Sequence, residues 1–143
     1  MAKQQKLRVI LDTNWYISAS INRKSRRTLY ALLTDERLKF LYADRLFEEF
    51  SEVISRPKFQ KMITPNQVRR FIKLILPVLE CVKLETPIAI SRDPKDNYLL
   101  SLSHDGKARY LVTGDPDLLV IGQLGETEII TMAAFREVLV EMV

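Results

Sequence analysis

Short aliphatic runs alternate with amphipathic helical stretches along this chain, and that alternation constrains the fold more than anything else in the sequence. Residues 7–11, 38–42, 81–84, 109–113 and 128–131 are each four or five residues long and rich in aliphatic or β-branched side chains, the pattern of buried strands. Between them lie helical stretches over 15–21, 25–33 and 44–55, one opening at Thr64, one at Asp93-Pro94 and one from Met132. Strands that alternate with helices imply an α/β domain with a mainly parallel sheet.

Local chemistry sets the helix boundaries. Asp44 is placed to cap the third helix, and Arg56-Pro57 stops it, because the residue before proline disfavours helical geometry. Thr64 and Gln67 have the spacing of a capping box. Val68, Phe71, Ile72, Ile75, Leu76 and Leu79 then share one face, Arg69, Arg70 and Lys73 the other, until Pro77 bends or ends the helix. No internal repeat or Gly, Ser or Pro-rich linker interrupts the pattern, so residues 1–143 read as one domain.

The rest of the composition excludes several chemistries. One cysteine, Cys81, allows no internal disulfide and reads as a small core residue in a reducing compartment. One histidine, His104, excludes histidine-rich metal sites and argues against a Ser-His-Asp arrangement; it is given no role. No apolar run has the length of a membrane span, and the first eight residues lack the apolar segment of a signal peptide, so a cytoplasmic protein without membrane contact is expected. Residues 1–73 hold 16 Lys and Arg against 7 Asp and Glu, whereas residues 74–143 hold 6 against 11. Basic surface beside an acidic pocket suits a polyanion bridged to the protein by cations, although exposed lysines and arginines also simply solvate helices.

In open parallel sheets, ligands bind beyond the carboxyl ends of the strands. Asp12 follows the first strand in "VILDTN", and Asp115 follows a later one in "YLVTGDPDLL". Asp115, Pro116 and Asp117 also make a good helix start, so capping alone would explain them. At about 100° per residue, Glu49 lies on the border of the stripe formed by Leu46, Phe47, Phe50, Val53 and Ile54, while Glu48 and Glu52 point to solvent. A carboxylate on that border either reaches water or needs a pairing charge. In "RDPKDNYLL", Asp93 reads as the cap, whereas Asp96 shares a face with Leu99, Leu100 and Ser103 and points toward the protein. Four converging acids, with scarcely a histidine or cysteine available, suit a hard cation, Mg²⁺ or Mn²⁺. Such ions neutralise crowded carboxylates, clamp phosphate oxygens and activate water.

The segments "VILDTN", "EEFSEVISRPKF", "RDPKDNYLL", "YLVTGDPDLL" and "EIITMAAF", in this order and spacing, resemble the PIN domain family, and within it the toxin components of toxin–antitoxin pairs. The family's four main acidic positions match Asp12, Glu49, Asp96 and Asp115, and Asp117 matches a further, less constant acid. Asn14 and Thr113 fall where the family often carries a supporting polar residue, and the usual small residue after the third acid stands here as Ser101 or Ser103. The resemblance implies a three-layer α/β/α sandwich, metal-dependent cleavage of single-stranded RNA, frequent homodimers and an antitoxin that covers the site. With it, Thr13, Asn14 and Thr113 would orient ligands or a phosphate. Arg23, Lys24, Arg26 and Arg27 would draw in the RNA backbone, unless they form an ordinary exposed turn. A module that binds RNA or an antitoxin with little catalysis is the alternative. A phosphatase or receiver domain fits less well, because "LDTN" lacks an Asp-x-Asp pair.

Overall fold

Strand β1 (Leu7–Leu11) occupies the centre of a six-stranded sheet in the computed structural model, which describes residues 5–142. On one side lie β2 (Leu38–Tyr42) and then β3 (Glu80–Cys81); on the other lie β4 (Tyr110–Val112), β6 (Thr127–Ile130) and β5 (Gln123–Leu124). All neighbours run parallel except β5, which pairs antiparallel with β6. Helices flank the sheet to give the three-layer α/β/α arrangement. Val9, Ile10 and Leu11 are wholly buried, as a central strand covered on both faces requires, which is why β1 reads as a continuous aliphatic run.

Eight helices of the described residues connect and cover these strands: α1 (Thr13–Ile21), α2 (Arg23–Leu33), α3 (Asp44–Ile54), α4 (Pro57–Gln60), α5 (Pro65–Ile75), α6 (Asn97–Asp105), α7 (Pro116–Leu119) and α8 (Met132–Glu141). On α3, Leu46, Phe50 and Ile54 are buried; on α5, Phe71 and Ile75 are. The Phe50 and Phe71 rings pack 6.2 Å apart and join the two helices, while Phe47 lies 5.3 Å from both Tyr16 and Tyr42. Both halves of the Thr64–Gln67 capping box form, and Pro77 falls in a 3₁₀ turn (Leu76–Val78) that closes α5. Among the described residues, no helix is long and apolar enough to cross a membrane.

Several local readings are corrected. Ala43, not Asp44, is the N-cap of α3: its extended backbone presents its carbonyl to the Leu46 N–H at 2.9 Å, and Asp44 becomes the first helical residue, still favourable to the dipole. The strand at 81–84 shrinks to two residues at the sheet edge. Cys81 is exposed rather than in the core, because nothing pairs beyond β3. Pro57, read only as a stop, also begins α4, since proline suits the first helical position. The β5–β6 hairpin escaped notice; its two-residue loop begins with Gly125, whose φ of 58° suits a tight hairpin turn. Asp93-Pro94 opens a 3₁₀ turn (Pro94–Asp96) rather than α6 itself, leaving Asp96 at the junction with no capping bond of its own.

Strand order reverses between β1 and β4: the chain adds strands outward on one side through β3, then crosses to the other. The crevice beyond the carboxyl ends of β1 and β4 is therefore where a ligand of such a sheet binds.

Candidate functional site

Asp12 leaves β1 directly into that crevice. It is the N-cap of α1, and its Oδ1 accepts the Asn14 N–H at 2.9 Å. Its Oδ2 accepts the Thr113 hydroxyl at 2.5 Å, and the same Thr113 oxygen accepts the Asp115 N–H at 3.0 Å. Thr113, fully buried just after β4, thus links the two strand-end acids. Only 5% of Asp12 is exposed, and burial pushes its carboxyl above the ordinary aspartate range. The bonds from Thr113 and the backbone at Asn14 and Trp15 oppose that shift, and the charge of Asp115 adds to it.

Asp115 does cap α7, its Oδ1 accepting the Asp117 N–H at 2.9 Å. Capping is only part of its surroundings, because it is also near enough to Asp96 to raise that carboxyl. The Asp96 carboxyl is pushed up to about 8, first by burial, then by the neighbouring Asp115 carboxylate and by the charges of Asp93 and Glu49. Asp96 Oδ2 is buried with no hydrogen-bond partner. Oxygens of Asp93, Asp96 and Asp117 all lie within 4.8 Å of one another. On the rim, Arg92 reaches Asp117 Oδ1 at 3.0 Å and the Pro116 carbonyl at 3.3 Å.

Glu49 approaches from α3. Its Oε1 accepts the Tyr98 hydroxyl at 3.0 Å, and Tyr98 in turn lies 2.9 Å from the Thr13 hydroxyl. Glu48 and Glu52 are exposed and face Arg45 at 3.8 and 3.6 Å. Burial, with the nearby charges of Glu49 and Asp12, holds the Tyr98 phenol above its usual range, so it stays protonated.

Asp115 is near enough to raise the Asp12 carboxyl, and Asp115, Asp93 and Glu49 to raise that of Asp96. Among the described residues, however, the acids whose oxygens come within 4.8 Å of one another are Asp93, Asp96 and Asp117, not the expected four. Thr13 and Thr113 are buried. Asn14 is exposed and touches Asp12 through its backbone N–H. Arg23, Lys24 and Arg27 are exposed and Arg26 half-buried on the first turns of α2; Arg69, Arg70 and Lys73 are exposed on α5. Arg26 and Arg70 line one cleft of about 300 Å³ together with Tyr30 and Gln67. Three participants were missed in the sequence. Asp93 caps the 3₁₀ turn as read, accepting the Lys95 N–H at 3.1 Å, yet also joins the acids; its place three residues before Asp96 was the available signal. Arg92 and Tyr98 gave none, since their contacts are to segments remote in sequence.

Every side-chain donor in this set is an oxygen, from carboxylates or hydroxyls. That is the donor set of a hard divalent cation, and Asp96 Oδ2 is buried without a hydrogen-bond partner.

A family model for the PIN domain matches residues 8–117. An uncharacterized protein from Methanocaldococcus jannaschii is 26% identical over 116 residues, covering 80% of this chain and 74% of that protein. Among solved structures, VapBC2 from Rickettsia felis, bound to a DNA fragment from its promoter, shares the fold with a TM-score of 0.57. It is 17% identical, and the match covers 86% of this chain and 98% of that one.

Proposed function

This chain belongs to the PIN domain family, and from that premise we propose that it is an Mg²⁺ or Mn²⁺-dependent endoribonuclease that cleaves single-stranded RNA, the toxin of a toxin–antitoxin pair. The observation that carries the reading is the buried, unpartnered Asp96 Oδ2 inside a ring of carboxylates. Left to itself the ring suppresses its own ionisation, and a cation is the group that completes it.

Asp12, Glu49, Asp96 and Asp115 are the proposed ligands, with Asp117 assisting and Asp93 added by its shared geometry. When bound, the cation supplies charge to clamp phosphate oxygens and an activated water for in-line attack. Thr113 ties the Asp12 carboxyl to the backbone of Asp115 and so holds the two strand ends together. Thr13 holds the first turn of α1 against α6 through Tyr98. Arg26 and Arg70, converging on one cleft, together with Arg23, Lys24 and Arg27, are the proposed backbone contacts for RNA.

An antitoxin partner is supported by the fold shared with VapBC2, and a homodimer and a cytoplasmic setting complete the proposal. The test is a mixed pool of structured and unstructured RNAs incubated with purified protein and Mn²⁺, with a chelator control. Chelator-sensitive cleavage confined to unstructured RNA is expected. Tight Mn²⁺ binding without cleavage would leave a binding module.

A further inference from the structure

Glu49 is not held by a local backbone bond: it comes from the middle of α3, whereas Asp12 and Asp115 are locked as helix caps. What holds it is a chain of two hydroxyls. An ionised carboxylate only accepts hydrogen bonds, so the Tyr98 hydroxyl donates to Glu49 Oε1. Tyrosine has one such proton, and the Thr13 hydroxyl must therefore donate to the Tyr98 oxygen. The direction Thr13 to Tyr98 to Glu49 is thereby set whenever Glu49 is charged. The chain ties α3 and α6 to the first residue of α1, immediately after Asp12.

We propose that Tyr98 is a positioning residue, which orients the Glu49 carboxylate for cation binding and relays that orientation to the Asp12 end of α1. The proposal rests on the reading of these acids as cation ligands. Its physical basis is that one Glu49 oxygen is immobilised before the ion arrives and the other is left free. A glutamate has much rotamer freedom to lose, so fixing it beforehand removes that cost from binding. Hydrogen-bonding partners of metal ligands act in this way, and their loss typically weakens metal affinity by roughly 10–100-fold. The ring is braced in turn: Tyr98 is largely buried, and the Arg45 guanidinium lies 5.8 Å from its centroid.

Tyr98→Phe removes the hydroxyl and keeps the ring. Mn²⁺ affinity is measured by calorimetry for the wild type, Tyr98→Phe, Glu49→Gln and the double variant, with thermal melts of each metal-free protein and RNA affinity in chelator. Tyr98→Phe is expected to weaken Mn²⁺ roughly 10–100-fold and to add little once Glu49→Gln is present, with RNA affinity in chelator unchanged. Thr13→Val should reproduce a weaker form of the effect, and Thr13→Ser should restore wild-type affinity. If Glu49→Gln weakens Mn²⁺ but Tyr98→Phe does not, or if the two effects add in full, the positioning role is wrong and the ligand reading survives. A wild type that binds no Mn²⁺, or a Glu49→Gln variant that binds it equally well, overturns both.

Discussion

The two ends of the same strands carry the same residue types in opposite company. Near their amino ends, Arg8 donates to both oxygens of Glu80, at 3.2 and 2.5 Å, and also to the Gly106 carbonyl at 2.7 Å. Arg109 meets Glu128 at 3.1 Å close by. The Arg8 bond holds the Glu80 carboxyl below its usual range. Beyond their carboxyl ends, Asp12, Asp93, Asp96, Asp115 and Glu49 gather with Arg92 as the basic partner at the rim, and the carboxyls of Asp12 and Asp96 are driven upward. Paired charges add a little to stability and ask for nothing more. Crowded like charges cost stability, and a fold keeps that cost where function uses it. The contrast is what supports the carboxyl end as the proposed site and the amino end as scaffold.

The largest expected effect breaks the carboxyl end directly. Asp115→Asn keeps the cap of α7, because asparagine caps about as well as aspartate. It removes one charge from the cluster, so Mn²⁺ affinity and RNA cleavage should fall by at least about 100-fold, the upper end of what outer partners of a metal cost. Metal-free thermal stability should hold or rise as repulsion is relieved. Asp93→Asn changes the cluster as well, since Asp93 both caps and joins the acids. If Asp115→Asn leaves Mn²⁺ binding intact, "TGDPD" is merely a well-made helix start.

pH sharpens the comparison next. Asp96 titrates at about 8 in the fold against an ordinary 3.8, so between those values the folded chain holds a proton that the unfolded chain has lost. Stability of the metal-free protein should therefore decline as pH rises through that window. A cation must displace the same proton, so Mn²⁺ affinity should climb with pH, by up to about tenfold per unit while one proton is released, and level off above about 8. Asp96→Asn should flatten both curves. Glu80 behaves inversely: the stability from its lowered carboxyl is fully present above its ordinary 4.5 and is lost as pH falls below that, so it contributes no slope from 5 to 8. Calorimetric titrations at several pH values, paired with melts, read both ends at once.

Much of this was legible in the sequence, for identifiable reasons. Leu46, Phe50 and Ile54 had to face the sheet because a helix has one way to bury an apolar stripe, and that geometry placed Glu49 on the border. Asp12 and Asp115 could be placed on one edge because β1 and β4 run parallel and each acid follows its strand. Cys81 failed on the same logic: its run looks apolar, but burial at an edge depends on how many strands lie outside it, which the run itself does not encode. Only Glu80 and Cys81 pair with β2. The link from Tyr98 to Glu49 and Thr13 was illegible for another reason. It spans 49 and 85 residues and depends on how α6 settles against α1 and α3, not on any periodicity.

The smallest expected effect tests the scaffold end. Glu80→Gln leaves a side chain of nearly the same size beside Arg8 and removes the charge. Both partners are more than a third exposed on average, at 34% and 39%, so water screens the pair heavily. Such pairs contribute about 0–1 kcal/mol, and Arg8 retains its bond to the Gly106 carbonyl after the substitution. Denaturant unfolding should shift by no more than that, while Mn²⁺ affinity and its pH dependence stay at wild-type values. Agreement would show that a carboxylate lost from the amino end is felt only by the fold. A change in Mn²⁺ binding on Glu80→Gln would mean that charge acts across the whole sheet, and the division between scaffold and site would no longer hold.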